Sequence, residues 1–389
     1  MIKILMTQTT AGIQNVIGFL PFALVLVIRK FGFRICPSTL LRVVSLSNHF
    51  GFRYSNFGFM YASPLGAYPS RFPCARIFTI PGVRAAGWIL LAVLFFGIAS
   101  CSPRQMAVRE LSAVLQNGVD RFEEDEDLAL IEAALPGNIK LVETLLAETP
   151  DDDRLRILLA RLYGSYAFAF AERDLEEETL LPGRRPPAIE SESPEQAVRR
   201  YYRKGADYAL SVIEARYPGC TAQLGSVSES EACFARFGKD DLPALFWYGF
   251  DLGGYVNRSR GSVKALSRAH LAEKAMKRVI DIDASFYHGG AHLFLMIYYA
   301  ARPPMAGGSI EAATHHYREL TSMHGVGFFP ADLFYARYVL YRQQDRDAFH
   351  RVLTNIVQQP VEPGPYRLLN KVAADRAALY LAAEDRLFP

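Results

Sequence analysis

The chain has 389 residues, half of them hydrophobic, with a formal net charge of +3, so it can bury a large core in one or more domains. That charge averages two different compositions: residues 1–100 carry nine Lys/Arg and no Asp or Glu, leaving 34 basic and 40 acidic residues beyond them. The net charge of about −6 on the larger part excludes nucleic acid as its main partner, because phosphate binding needs clustered positive charge.

Residues 1–82 contain one apolar run, Val16–Ile28, followed by Arg29 and Lys30; the rest mixes Phe, Tyr, Ser, Pro and Arg without helical or strand periodicity. Two accounts stand for this stretch. It is a membrane anchor at 16–28 with an extension, or it is translation from upstream of the true start, with Val83 as the initiation point. The missing carboxylates favour the second, since a folded domain of that length rarely lacks them. Residues 83–100 read as a signal peptide: Arg84 supplies positive charge, Trp88–Ile98 an apolar segment too short to span a bilayer comfortably, and small residues precede Cys101. Ile98-Ala99-Ser100-Cys101 resembles a bacterial lipobox, which predicts cleavage before a diacylated Cys101 and a firm lipid anchor on the membrane. Ser102, where Asp commonly favours inner-membrane retention, leans toward the outer membrane. Cys36 and Cys74 fall in the anomalous front part, so Cys220 and Cys233 are the pair left for the body. They form a disulfide if the body is exported, or remain two buried thiols.

From Arg104 onward the pattern is helical, and 101–389 reads as one domain of helical repeats. Ile139, Val142, Leu145 and Leu146, then Leu155, Leu158, Leu159, Leu162, Tyr166 and Phe170, recur at spacings of three and four. Thr149–Asp153 stops one helix and caps the next. Two stretches rich in Pro, Gly, Ser and charge, Leu180–Glu195 and Tyr217–Pro243, read as loops. Ala272–Pro303 is a helix, an Asp-bearing turn and a second helix; Ser309–Met323 is another; Ala331–Gln359 is a pair broken at Gln343–Asp347. Helix–turn–helix units of roughly 34 residues predict an all-α, TPR-like solenoid whose concave face or channel binds something.

Chemistry-bearing motifs are absent: no nucleophile elbow, Walker loop, dinucleotide fingerprint or zincin motif occurs, which argues against an enzyme or a cofactor. His288 and His292 lie four apart with His315 and His316 downstream, but no carboxylate or cysteine joins them at metal-ligand spacing, so packing or capping is expected. Asp281–Asp283 reads as a turn cap and Glu123–Asp127 as a solvated helix start. Aromatics carry more information. Leu245–Val256 and Phe294–Pro303 concentrate Trp247, Tyr248, Phe250, Tyr255, Tyr298 and Tyr299 in two helices, more than one buried stripe needs. Trp247, Tyr248, Tyr255, Tyr298 and Tyr299 are therefore candidates to line an amphipathic cleft. Gly253–Gly254 permits a close backbone approach.

The lipobox at Cys101, the stretch from Leu141 to Glu172, Leu242–Asn257 with its central Trp247, and His292–Leu320 with its Ala-Arg-Pro turn and Gly-Gly-Ser together resemble the TRAP-transporter T-component (TatT) family of periplasmic lipoproteins. Pro303-Pro304-Met305-Ala306 departs from the more Gly-rich turn of relatives. The resemblance implies a TPR-like fold, assembly as a homotrimer and a hydrophobic or organic-acid small-molecule solute. It also implies a partner, a DctP-like solute-binding protein of a tripartite ATP-independent periplasmic transporter. A scaffold that grips peptides or envelope proteins is the rival expectation, and it predicts a polar, open groove.

Overall fold

The computed structural model describes residues 103–183, 193–259 and 261–389. The upstream extension, the signal at 83–100, Cys101 with Cys36 and Cys74, and most of the loop before Pro194 lie outside them. Thirteen helices of seven or more residues carry the described fold, and no strand occurs among the described residues. The first five are α1 (Pro103–Phe122), α2 (Leu128–Glu148), α3 (Asp153–Tyr166), α4 (Glu172–Leu180) and α5 (Pro194–Arg216). Next come α6 (Val227–Ala235), α7 (Leu242–Asn257), α8 (Ala269–Asp283) and α9 (Phe286–Ala300). The last four are α10 (Ile310–His324), α11 (Phe329–Tyr335), α12 (Arg346–Gln358) and α13 (Arg367–Ala382).

The boundaries follow from the caps. Asp152 accepts from the backbone N–H of Arg154 and Leu155 and starts α3, and Ser193 with Gln196 forms a capping box on α5. Asp283 accepts from the N–H and hydroxyl of Ser285 in the turn between α8 and α9. Gln344, left-handed at φ 58°, breaks the chain where Gln343–Asp347 predicts a break, and Asp345 caps α12. The stretch Tyr217–Pro243 is more ordered than its composition suggests. It holds α6 and the turn Cys220–Gln223. Burial of Phe234 and Phe237 and the approach of Cys220 to Cys233, Cα atoms 5.6 Å apart, pull it into the core.

Helices pack pairwise in order along the chain: α2 on α3, α3 on α5, α5 on α7, α7 on α8, α8 on α9, α9 on α10 and α12 on α13. This is the helical-repeat architecture. The array does not stay open, because α13 returns to α2. There the N–H of Leu368 donates to the Glu123 carbonyl at 2.9 Å, and Arg367 pairs with Glu126. Farther along α13, Arg173 Nε meets Asp375 at 2.7 Å.

One close helix crossing is at Asp251 of α7. A Cβ on Gly164 of α3 or Gly205 of α5 would come within 2.2 Å of its carboxylate oxygens. Asp251 is wholly buried, and burial pushes its carboxyl well above the usual carboxylate range.

Two π turns interrupt long helices. Ala167–Ala171 joins α3 to α4, and Ala336–Leu340 follows α11. A π turn leaves a carbonyl without its regular partner, and Arg376 of α13 takes that of Phe168 at 3.1 Å. The same guanidinium pairs with Glu176 at 2.7 Å with no exposed surface. Removing one member of a buried ion pair leaves an uncompensated charge and costs about 3–5 kcal/mol. Arg376→Ala is therefore expected to lower the unfolding free energy by about that amount, read from urea unfolding; a loss within error of zero would refute this role in closing the array.

Candidate functional site

The closed array surrounds two adjoining apolar cavities. The outer one, about 470 Å³, lies between α5, α7, α9 and the second π turn, and opens at the loop after α9. The inner one, about 90 Å³, lies among α1, α2, α3, α7 and α13. Phe168, Phe250 and Leu293 line both and form the partition between them. The rings of Phe168 and Phe250 meet edge-on at 5.5 Å, and Phe168 lies 5.4 Å from Phe334. The outer volume lies within the range of small-molecule sites, roughly 300–1,000 Å³.

Sequence patterning explains how the space arises. On Gly253 a Cβ would fall 2.2 Å from the ring of Phe294, and on Gly254 2.6 Å from the ring of Tyr202. Both glycines line the outer cavity, so two missing side chains let aromatic rings from α9 and α5 form its walls. The loop after α9 is tight: Ser309 N–H donates to the Tyr299 carbonyl at 3.1 Å, and Gly307 adopts φ 83°. Pro303 and Ala306 of that loop line the mouth, while Met305 projects into solvent at 96% exposure. Val263, at 83%, and Leu266 add exposed apolar surface on the chain leading into α8; Leu266 also lines the cavity.

The five aromatic candidates separate. Trp247 is buried on the inner cavity, edge-on to Phe250 at 5.5 Å and to Tyr287 at 5.0 Å. Tyr298 lines the outer cavity, with the Arg302 guanidinium 3.4 Å above its ring. Tyr255 faces a polar recess with Arg199, Arg200 and Arg203 rather than either apolar cavity. Tyr248 is enclosed in the packing around α7 and α8. Tyr299 stacks on His316 at 5.8 Å, outside both cavities. One residue in a helix turns the side chain by about 100°, so Trp247 and Tyr248, or Tyr298 and Tyr299, cannot share a face. The hydroxyls of Tyr298 and Tyr299 nevertheless converge on Glu273, at 3.0 and 2.8 Å. Burial acts to raise the Glu273 pKa, but hydrogen bonds from Lys277, Tyr299 and Tyr298 outweigh it and hold the carboxyl low.

The polar groups near the inner cavity also depart from expectation. Glu123 is not a solvated helix-start residue: it accepts from Arg161, from the Tyr287 hydroxyl at 2.8 Å, and lies 3.3 Å from His288 Nε2. Burial works against its charge, yet His288, Arg161 and Tyr287 together hold its pKa down. Its partners sit on a left-handed turn, Tyr287 at φ 47°, His288 at 58° and Gly289 at 67°. Such a turn costs non-glycine residues about 1–3 kcal/mol each and persists only when neighbours hold it; Glu123 is that neighbour. The residues missed from sequence are Phe168, Tyr202 and Glu123. The alternation Ala-Phe-Ala-Phe-Ala at 167–171, two-residue spacing inside a helical run, is the one visible sign of the π turn.

His292 and His316 meet with Nδ1 atoms 3.0 Å apart, while His315 lies 3.8 Å from Glu319. No group of three or more potential metal ligands converges among the described residues. Burial and the charges of His292, His315 and Lys277 lower the His316 pKa to about 4; burial lowers that of His292 as well. The His316 ring is neutral in the fold at pH 7. The unfolded chain binds this proton near 6.5, so its contribution to stability is complete above that pH and is lost as pH falls toward about 4. Titration of the imidazole signals by NMR is expected to show His316 unprotonated at pH 5; a midpoint near 6.5 would contradict the packing described.

The profile of the TAtT family, TRAP transporter T-component, matches residues 124–388. A protein of Treponema pallidum (strain Nichols), described as uncharacterized, is 27% identical over 332 residues, covering 79% of this chain and 98% of its own. The matched region contains both π turns, α13 and all the residues that line the outer cavity. With the helical-repeat fold and more than half of its length matched, the chain belongs to the TRAP transporter T-component family, proteins that serve as a component of a transporter.

Proposed function

We propose that this protein is a lipid-anchored T-component that holds a small apolar or amphipathic solute in the outer cavity and exchanges it with a DctP-like solute-binding protein. The observation that carries the reading is the aromatic-walled cavity of about 470 Å³ inside a closed helical array. Its predominantly apolar, aromatic walls weigh against a peptide-gripping scaffold, which needs an open polar groove. The loop at 302–309, with exposed Met305 at the mouth, is the surface we assign to the partner, together with Val263 and Leu266. An apolar rim suits a contact that excludes water while a solute crosses. We further assign the assembly as a homotrimer, following the family.

No helix among the described residues is long and apolar enough to cross a membrane, which is compatible with attachment through Cys101 and a lipoprotein signal at 83–100. The body then faces an oxidising compartment, on the outer membrane by the Ser102 criterion, where the close approach of Cys220 and Cys233 favours a disulfide. Mass spectrometry of protein extracted from membranes without reduction tests both. The expected N-terminal peptide begins at a diacylated Cys101, and the peptides of Cys220 and Cys233 stay linked. An unmodified Cys101 would defeat the anchor, and peptides from residues 1–82 would defeat the reading of that stretch as lying upstream of the true start.

Affinity purification from the native membrane, with light scattering on the eluate, tests the transport role. A solute-binding protein, a bound apolar solute and three protomers per particle are expected. An eluate without partner and without solute would defeat it.

A further inference from the structure

Behind the outer cavity lies a second, polar chamber of about 400 Å³ that shares Asn257 and Tyr338 with it. Three guanidiniums and two carboxylates gather at this boundary. Glu172 pairs with Arg258 at 2.9 Å, and Glu176 pairs with Arg376 at 2.7 Å. Arg337, on the second π turn, has no ion-pair partner among the described residues, and its Nε makes no hydrogen bond there. Its guanidinium instead stands 5.1–5.7 Å from the rings of Tyr338, Tyr341 and Tyr380. At the rim, Arg199 and Glu195 add one charge of each sign. Glu176 attracts Arg337 as well as Arg258 and Arg376, so two carboxylates are shared among three guanidiniums and the boundary carries one positive charge in excess, which is costly where it is buried.

We infer that the polar chamber is the head-group subsite of the solute cavity, where Arg337 receives the carboxylate of an amphipathic monoanion whose apolar chain lies among Phe250, Phe294 and Tyr298. The planar fork of a guanidinium matches a carboxylate with two parallel hydrogen bonds. Tyr338 borders both spaces, so head and chain occupy the site together. This assignment rests on the reading of the outer cavity as a solute site. It narrows the solute class to carboxylates that bear one apolar chain, leaving neutral lipids and dianionic small acids as poor ligands. Arg302 is the rival cation, at the mouth on an exposed loop, but its guanidinium already stands over the Tyr298 ring at 3.4 Å.

The test uses decanoate and decanol, below micelle formation, titrated calorimetrically into the purified full chain and its variants. Decanoate is expected to bind roughly tenfold or more tightly than decanol, the worth of hydrogen bonds to a charged group. Each methylene added to the carboxylate is expected to strengthen binding up to about fourfold. Arg337→Gln is expected to abolish the preference for decanoate while leaving decanol within about twofold, and Arg337→Lys to restore part of it. Thermal unfolding of both variants separates a lost contact from a lost fold. Equal binding of the two probes to the wild-type chain would overturn the head-group site and leave the apolar cavity standing. Binding of neither probe would overturn the cavity reading and this inference with it. A preference lost in Arg302→Gln but kept in Arg337→Gln would move the head to the mouth and also overturn the assignment.

Discussion

The guanidinium of Arg376 is the point at which a row of helix pairs becomes a closed chamber. It has no exposed surface, yet three separate demands meet on it: the carboxylate of Glu176, the hydroxyl of Tyr380 and the carbonyl of Phe168. A buried ion pair by itself is weak evidence for net stability, because desolvation offsets much of the Coulomb attraction. Its effect is on specificity. A solenoid left open satisfies its helices equally well; the partners on α4 and the first π turn, together with the contacts of Arg367 and Leu368 at the start of α13, make α13 return. The faces of that guanidinium lie 5.5 Å from the Phe168 ring and 5.0 Å from the Phe334 ring. Closure and cavity wall are consequently one construction.

The chamber then depends on omissions as much as on contacts. Gly253 and Gly254 remove two side chains from α7 where Phe294 and Tyr202 approach, and Gly164 and Gly205 remove two more where the buried Asp251 fits between helices. The two π turns shift the register of their helices by one residue, which turns Phe168 and Tyr338 toward the space that a regular helix would leave to its neighbours. The polar side of the wall has the same economy. Glu172 and Glu176 are each matched by an arginine, and the third arginine, Arg337, stands among tyrosine rings. A wall that is apolar over most of its area and cationic at one edge suits a solute with the same division.

Chain-local physics made much of this legible in advance. Apolar spacing, the Asp and Ser caps and the breaker at Gln343–Asp347 depend on residues within a turn or two of each other, and helices stand where those signals place them. The stretch Tyr217–Pro243 was not legible as helix, because its order comes from Phe234, Phe237 and the two cysteines packing on distant helices. Among the aromatic candidates, sequence density marked α7 and α9 as the walls. It did not separate Trp247 and Tyr298, which reach the cavities, from Tyr248 and Tyr299, which lie outside them, since neighbours on a helix point about 100° apart.

The amino-acid sequence by itself determined the all-helical class, the repeat-like alternation of helix and turn, the compositional break near Cys101 and the resemblance to the T-component family. These follow from periodicity, charge and motifs, which act over short distances along the chain. Only the tertiary structure decided that the array closes, that Glu123 and Arg376 join segments 165 and 200 residues away, and that a charged chamber adjoins the apolar one. Those outcomes depend on which face of each helix meets which neighbour. Long-range packing sets those faces, and no local pattern encodes them.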